Sequence, residues 1–482
     1  MPHPLPTASR LPLPCRDELT VLQGLLAPLT GPQGLHWPAV VDTAQPWVQA
    51  VREKPAPFWA MESLLREYPI SSAEGLALMR LAEALLRVPD AATAVALTAD
   101  QLGRADFSAG AAAGSPHKLL AGISAAALGL AQRMLPAAGE QPGLIDRLGA
   151  QTVVAATVRA IGLLGRQFVL GRHIGEALDE ARSARRAQPQ LRFSFDMLGE
   201  GARTDADALR YGEAYALALA AIAESVKGAA QGHGPAERDG LSIKLSALHP
   251  RYEESQTDRV MAELLPRVTR LIDVAAAADI NLTSDSSSRS LSSASMVRLM
   301  SAAASDRLEL SLAVFERLAD HVAATAPGWT GFGLAIQSYQ TRARELIDAV
   351  AAIGRARGLR FMVRLVKGAY WDGEVKRAQE LGLAGYPVFT HKHHTDISYL
   401  ACAQALIGHA EVILPQFATH NAGTIAAIVR MTEARPGVRF EMQRLHGMGE
   451  GVYRAVMAAL PTLPLRIYAP VGEHRDLLAY LV

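Results

Sequence analysis

Cysteine is nearly absent. Cys15 and Cys402 are the only two in 482 residues, which excludes a disulfide framework and any cysteine zinc finger and fits a reducing cytosol. Aromatic residues make up 6% of a chain that is 50% hydrophobic, so its core must rest on Ala and Leu and be mostly helical. Neither sign of charge dominates. Lys and Arg number 48 against 47 Asp and Glu, and a net charge of +1 gives no electrostatic case for nucleic acid or an anionic membrane surface. Long apolar runs are missing too: the stretches near 121–131 and 214–223 fall short of the ~18 residues that a membrane span needs, so no transmembrane segment is expected. The start, Met1-Pro2-His3-Pro4-Leu5-Pro6, lacks the layout of a signal peptide, and a soluble cytoplasmic protein is expected. No G-x-G-x-x-G follows a strand, because His446-Gly447-Met448-Gly449 runs on into Glu450-Gly451; a Rossmann dinucleotide site is unsupported.

What is present divides the chain in three. Residues 1–57 are Pro-rich and only briefly periodic, and read as an arm wrapping a larger body. Residues 58–189 read as an α-helical domain. Ser71-Ser72-Ala73-Glu74 is a plausible capping box, 110–115 a small-residue linker, and 149–187 has helical spacing again. The basic cluster from Arg182 to Arg186 reads as a solvated helix face. From residue 190 to 482 short β-like runs alternate with helices. Strands are expected at Leu191–Asp196, Leu241–Ser246, Ile280–Asp285, Gly333–Ser338, Arg360–Val366, Val412–Phe417, Val438–Gln443 and Leu463–Tyr468. Helical stripes fall between them, Val260, Leu264, Val268, Leu271 and Ile272 in one, Leu308, Leu312, Phe315 and Ala319 in another. The reading is an α/β fold, a (β/α)8 barrel whose chemistry sits at the strand C-termini.

The most informative stretch is Met362-Val363-Arg364-Leu365-Val366-Lys367-Gly368-Ala369-Tyr370-Trp371-Asp372. A buried strand that interrupts its apolar run with Arg364 must aim that charge at something, since an unpaired buried guanidinium is very costly. Gly368 permits close backbone approach to a ligand, and Tyr370 and Trp371 offer flat faces for a ring system. A lysine at Lys244, inside 241–245, likewise calls for a bound anion or an acidic partner.

The motifs 242–252 (Ser242 to Tyr252), 417–421 (Phe417-Ala418-Thr419-His420-Asn421), 445–450 (Leu445 to Glu450) and 466–472 (Arg466 to Gly472), in that order, resemble the proline dehydrogenase half of the bifunctional bacterial proline utilisation A flavoenzymes. The resemblance runs from about Phe58 to Val482 and implies the same barrel, FAD as cofactor, and oxidation of L-proline to Δ1-pyrroline-5-carboxylate by hydride transfer to flavin N5. It also implies a quinone as electron acceptor and a parent enzyme peripheral to the inner membrane. By the same resemblance Arg364 lies beside the flavin N5 edge, and Gln337 hydrogen-bonds the flavin. Val366, Lys367, Gly368, Ala369, Tyr370 and Trp371 follow the ring and ribityl chain. Thr390, His391 and Lys392 contact phosphate and adenosine, although the family usually has Arg in place of His391. Thr419, His420 and Asn421 contact the adenosine end, and Gln443 and Tyr468 join the cofactor set. Lys244 meets the substrate carboxylate, Tyr468, Leu445 and Tyr370 line the substrate, and Glu200 belongs to an ion pair at the first strand–helix loop.

Two departures from the family stand out. Its third strand ends in an acidic word that runs straight into the helix, whereas here 284–305 is rich in Ser and Ala. Either Asp285 takes the place of the active-site Asp, the reading favoured, or Ser301 does and the carboxylate is gone. The chain also stops at Val482, inside the last helix, short of an arginine pair that clamps the substrate carboxylate. The aldehyde dehydrogenase half and the ribbon-helix-helix DNA-binding start of some relatives are expected to be absent too. An excised minimal domain with weakened proline turnover is therefore expected, with a silent FAD- or ligand-binding domain as the alternative. A metal-dependent barrel hydrolase using His391, His393, His394, His420 and His446 is the remote rival, since no Asp or Glu accompanies them at a typical spacing; no metal ligand is assigned.

Overall fold

Eight parallel strands close into a barrel in chain order: β1 (Leu191–Met197), β2 (Gly240–Lys244), β3 (Asn281–Asp285), β4 (Phe332–Gln337), β5 (Phe361–Val366), β6 (Ile413–Ala418), β7 (Glu441–Leu445) and β8 (Leu465–Val471). The structure, a computed structural model, describes residues 11–32, 34–53, 168–199, 201–227, 234–285, 306–368 and 370–472. The helices among these are α1 (Glu18–Thr30), α2 (Trp37–Glu53), α3 (Ile174–Ala187), α4 (Asp205–Lys227), α5 (Thr257–Ala277), α6 (Asp306–Thr325), α7 (Ala343–Arg357), α8 (Trp371–Glu380), α9 (Lys392–Gly408), α10 (Ala422–Glu433) and α11 (Glu450–Ala459). The expected capping box at 71–74, the linker at 110–115 and most of the expected helical domain lie outside the described residues, as do Glu200, Ala369, Ser301 and 286–305.

All eight expected strands form. The seventh starts later than its sequence suggests, because Val438 still closes a turn onto the Arg435 carbonyl, 3.3 Å away, after Gly437 at φ +90°. The eighth runs on to Val471, since its pairing with β1 continues from Leu191↔Leu465 to Met197↔Val471 and closes the barrel. Closure leaves no strand edge unpaired.

Two faces of each strand do different work. Phe193, Phe195, Ile243, Phe361, Phe417 and Ile467 are buried in the apolar shell. Full burial of such a side chain contributes about 1.5–3 kcal/mol. The expected stripe on α5 (Val260, Leu264, Val268, Leu271, Ile272) and that on α6 (Leu308, Leu312, Phe315, Ala319) are buried in the same core. Alternate strand positions carry polar residues instead: Ser194 and Asp196, Ser242 and Lys244, Glu441 and Gln443, Arg466 and Tyr468. This period of two brings them into one set of contacts.

The N-terminal stretch is more regular than its prolines suggest. Pro28 and Pro46 sit inside α1 and α2, which form because Leu25, Leu29, Val40, Ala44 and Trp47 are buried on one side. Helix α1 packs on α9, and α2 packs on α10 and α11. Ahead of α1, the Pro12 and Pro14 carbonyls accept from Arg342 and Thr341, each at 3.1 Å. The basic cluster on α3 is not wholly solvated. Arg185 reaches the fully buried Asp239 at 2.9 Å and stacks over Phe193. Both cysteines are free.

Candidate active site

Arg364 stands at the centre of the barrel mouth, 2% exposed. Its Nε donates to Gln443 Oε1 at 2.7 Å, Nη1 to Ser242 Oγ at 2.7 Å and Nη2 to Ser194 Oγ at 2.8 Å. The guanidinium carbon lies 4.8 Å from the centre of the Tyr468 ring, a cation–π distance. All three of these acceptors are neutral, so the charge is oriented without being cancelled. Burial pulls its pKa down, and Tyr468 and Asp285 oppose that shift.

Beside it, Lys244 Nζ meets Asp196 Oδ2 at 3.1 Å, both side chains buried. The acidic partner that the lysine demanded is therefore Asp196, which sequence reasoning passed over. Its signal was there: Asp196 follows Ser194 by two residues at the end of an apolar strand. Asp285 ends β3 directly across the register from Lys244. Gln337 ends β4, buried, and its side-chain Oε1 has no hydrogen-bond partner among the described residues. An orphaned acceptor at a barrel mouth costs about 1–3 kcal/mol unless a donor arrives there.

Gly368 has φ +138°, and a Cβ there would fall 1.3 Å from the ring of Tyr339. The close approach that this glycine allows is thus first to Tyr339, whose N–H donates to the Lys367 carbonyl at 2.8 Å. Lys367 binds Asp396, and Lys392 Nζ reaches the same carboxylate at 3.0 Å. Two lysines on one acid leave a net positive pair at the start of α9. Trp371 Nε1 donates to the Phe389 carbonyl at 2.7 Å, leaving its ring part-exposed, with Tyr370 just ahead of it.

Several expected contact residues serve the fold first. His420 Nε2 accepts from the Leu445 N–H at 3.0 Å, and burial pushes its pKa down to about 4. Burial likewise pushes His446 down to about 4, so both rings are neutral. Asn421 caps α10 by accepting from Thr424 N–H at 3.0 Å, and the Thr419 hydroxyl accepts from the Asn421 N–H at 3.1 Å. Gln443 is fully engaged, since its amide donates to Glu441 at 2.8 Å while its carbonyl holds Arg364. It positions Arg364. Thr390 and His391 face Glu18 of α1. The Thr390 hydroxyl donates to Glu18 Oε2 at 2.7 Å, and His391 Nδ1 lies 4.0 Å from Oε1.

A closed (β/α)8 barrel thus carries, inside it, a buried arginine held by three neutral acceptors and a buried lysine–aspartate pair. Sequence comparison gives it a lineage. A model of the proline dehydrogenase family matches residues 178–482. The chain belongs to that family. The bifunctional protein PutA of Klebsiella aerogenes is 42% identical over 88% of this chain, which covers 31% of that protein. PutA of Rhizobium meliloti is 40% identical over 99% of this chain, covering 38% of its own length. Among solved structures, a Bradyrhizobium japonicum proline utilization A variant is 44% identical with a TM-score of 0.69, over 99% of this chain and 45% of that one. The chain thus spans less than half the length of these relatives.

A second family model, described as the DNA-binding domain of proline dehydrogenase, matches residues 60–168. This match corrects the exclusion of nucleic acid drawn from net charge. Residues 60–168 carry nine Lys and Arg against nine Asp and Glu, so net charge, in that segment as in the whole chain, does not decide the question. No described helix is long and apolar enough to cross a membrane.

Proposed function

We propose that this chain is an FAD-dependent proline dehydrogenase that oxidises L-proline to Δ1-pyrroline-5-carboxylate, with a quinone as the eventual acceptor and a cytoplasmic location. The observation that carries the reading is the mouth of the barrel in a chain of this family. Arg364 is held by three neutral acceptors, and on the neighbouring strand Gln337, in register with Val366, has an Oε1 without a partner among the described residues. Such a pair offers one fixed cation and one acceptor to a planar, polar ring, and the residues present fit a flavin.

When bound, FAD would supply the two-electron acceptor, taking a hydride at N5 from C5 of proline. The residues of the chain do the rest. Arg364 places positive charge where the reduced ring gains negative charge, without reorganising at the moment of reaction. Tyr468 stacks on Arg364, and with Tyr370 and Leu445 it forms the apolar cover for the substrate ring. Lys244, its charge tempered by Asp196, holds the substrate carboxylate, and Asp285 across the register sets the local balance between acid and base. Lys367 and Lys392, paired on Asp396, would hold the cofactor phosphates, while Val366, Gly368 and Trp371 would follow the ring and ribityl chain. Thr419, His420 and Asn421 shape the far end through the loop after β6.

The test is the visible spectrum of the purified protein before and after anaerobic L-proline. Flavin bands that bleach on addition of proline are the expected outcome. Bands that persist would leave a flavin protein without this substrate, and a colourless protein that takes up no added FAD would remove the cofactor from the proposal.

A further inference from the structure

The start of α9 gathers more imidazole than a helix end requires. The rings of His391, His393 and His394 have centroids 4.4–5.4 Å apart. Into this cluster α1 projects a carboxylate. Glu18 Oε1 lies 2.5 Å from His394 Nδ1 and accepts from the Thr390 N–H at 3.0 Å. One ligand atom each from Glu18, His391 and His394 falls within a sphere where all are 4.8 Å apart or closer.

The missing acid of the sequence argument therefore exists, but it comes from the far end of the chain, where no spacing rule would find it. Two imidazoles and one carboxylate are a donor set for a borderline divalent ion, too nitrogen-rich for calcium or magnesium. The Thr390 N–H and hydroxyl, both on Glu18, would orient the acid as outer-shell partners do. His391 is exposed, and its Nδ1 lies 3.0 Å from the Thr390 hydroxyl, a bond that it would exchange for the ion. An ion bonded at about 2.0–2.2 Å needs only that Glu18 and His394 part slightly from hydrogen-bond contact.

We propose that Glu18, His391 and His394 form a binding site for zinc, or a divalent metal of like preference, that pins α1 to α9 and leaves a fourth position for water. The role is structural, because the ion would bridge the N-terminal helix to the barrel.

The experiment is a cobalt(II) titration of the full chain, followed by visible absorption and by thermal melting. Expected are the intense bands of four-coordinate cobalt saturating at one ion per chain, and a higher Tm that zinc reproduces. Glu18→Gln, which keeps the side-chain shape, and His391→Ala, at an exposed position, should each abolish the bands. Thr390→Val should weaken binding by roughly tenfold. Weak octahedral bands only, bands unchanged in E18Q and H391A, or bands lost in His393→Ala but not in His391→Ala would each overturn the assignment. So would loss of bound FAD in step with cobalt uptake, since the cluster would then be part of the cofactor seat. Flavin content, read at its own wavelengths, separates that result from a failure of the dehydrogenase reading.

Discussion

Two arginines inside one barrel, Arg364 and Arg466, are both buried and meet opposite surroundings. Arg466, at the floor, binds Glu441 through Nε at 2.7 Å and Nη2 at 3.0 Å, and donates to the Arg238 carbonyl at 2.7 Å and the Ala236 carbonyl at 3.1 Å. Its charge is discharged and its donors are spent. Arg364, at the mouth, is held by two serines and an amide. A guanidinium in a low-dielectric interior normally seeks a carboxylate, so the mouth arginine is kept short of one at a cost in stability. The comparison separates a charge that builds the barrel from a charge that the barrel presents.

Glu441→Gln should give the largest effect on the comparison. Gln cannot balance Arg466, and breaking a buried pair costs about 3–5 kcal/mol. Chemical denaturation should show the midpoint fall accordingly; an unchanged midpoint would mean that the floor pair is not structural. Arg364→Met should do the reverse. The serine hydroxyls can turn elsewhere, so stability should shift by less than about 1.5 kcal/mol, while proline-dependent flavin reduction falls by about 10²–10³-fold. Equal losses of stability and activity would erase the distinction between the two arginines.

The smallest effect belongs to the rim. Burial pushes the Glu374 carboxyl up from 4.5 to about 7, against the pull of Arg307 and Arg377. A raised carboxyl favours the folded state while protonated. Its contribution is full below 4.5 and is lost as pH rises through about 7. Glu374→Gln should therefore flatten the fall in stability over that window, seen as a smaller difference in Tm between its two sides. The same slope in wild type and variant would show that Glu374 is solvated.

Much of this contrast was legible in the sequence. Arg364 interrupts an apolar strand, and Lys244 does the same three strands away in the barrel, so both were marked as charges in need of a purpose. The strands themselves were legible because polar and apolar residues alternate along β1, β2, β7 and β8. What the partners would be was not legible. Asp196, Ser194 and Ser242 act on residues distant in the chain, and only closure of the barrel brings them into reach. Arg185 looked like one of a solvated cluster until Asp239 and Phe193 folded beneath it. Helices α1 and α2 were hidden by prolines, since the surface that stabilises them belongs to α9, α10 and α11.

The hydrogen bonds run unbroken from mouth to floor: Arg364 to Gln443, Gln443 to Glu441, Glu441 to Arg466. Gln443 is the hinge of that line, because its carbonyl faces one arginine and its amide the acid of the other. An inverted amide would turn donor against donor at Arg364 and acceptor against acceptor at Glu441. The amide of Gln443 therefore carries the alignment of the floor up to the mouth, and Arg364 can be exchanged while Gln443 still donates to Glu441 and Glu441 still holds Arg466.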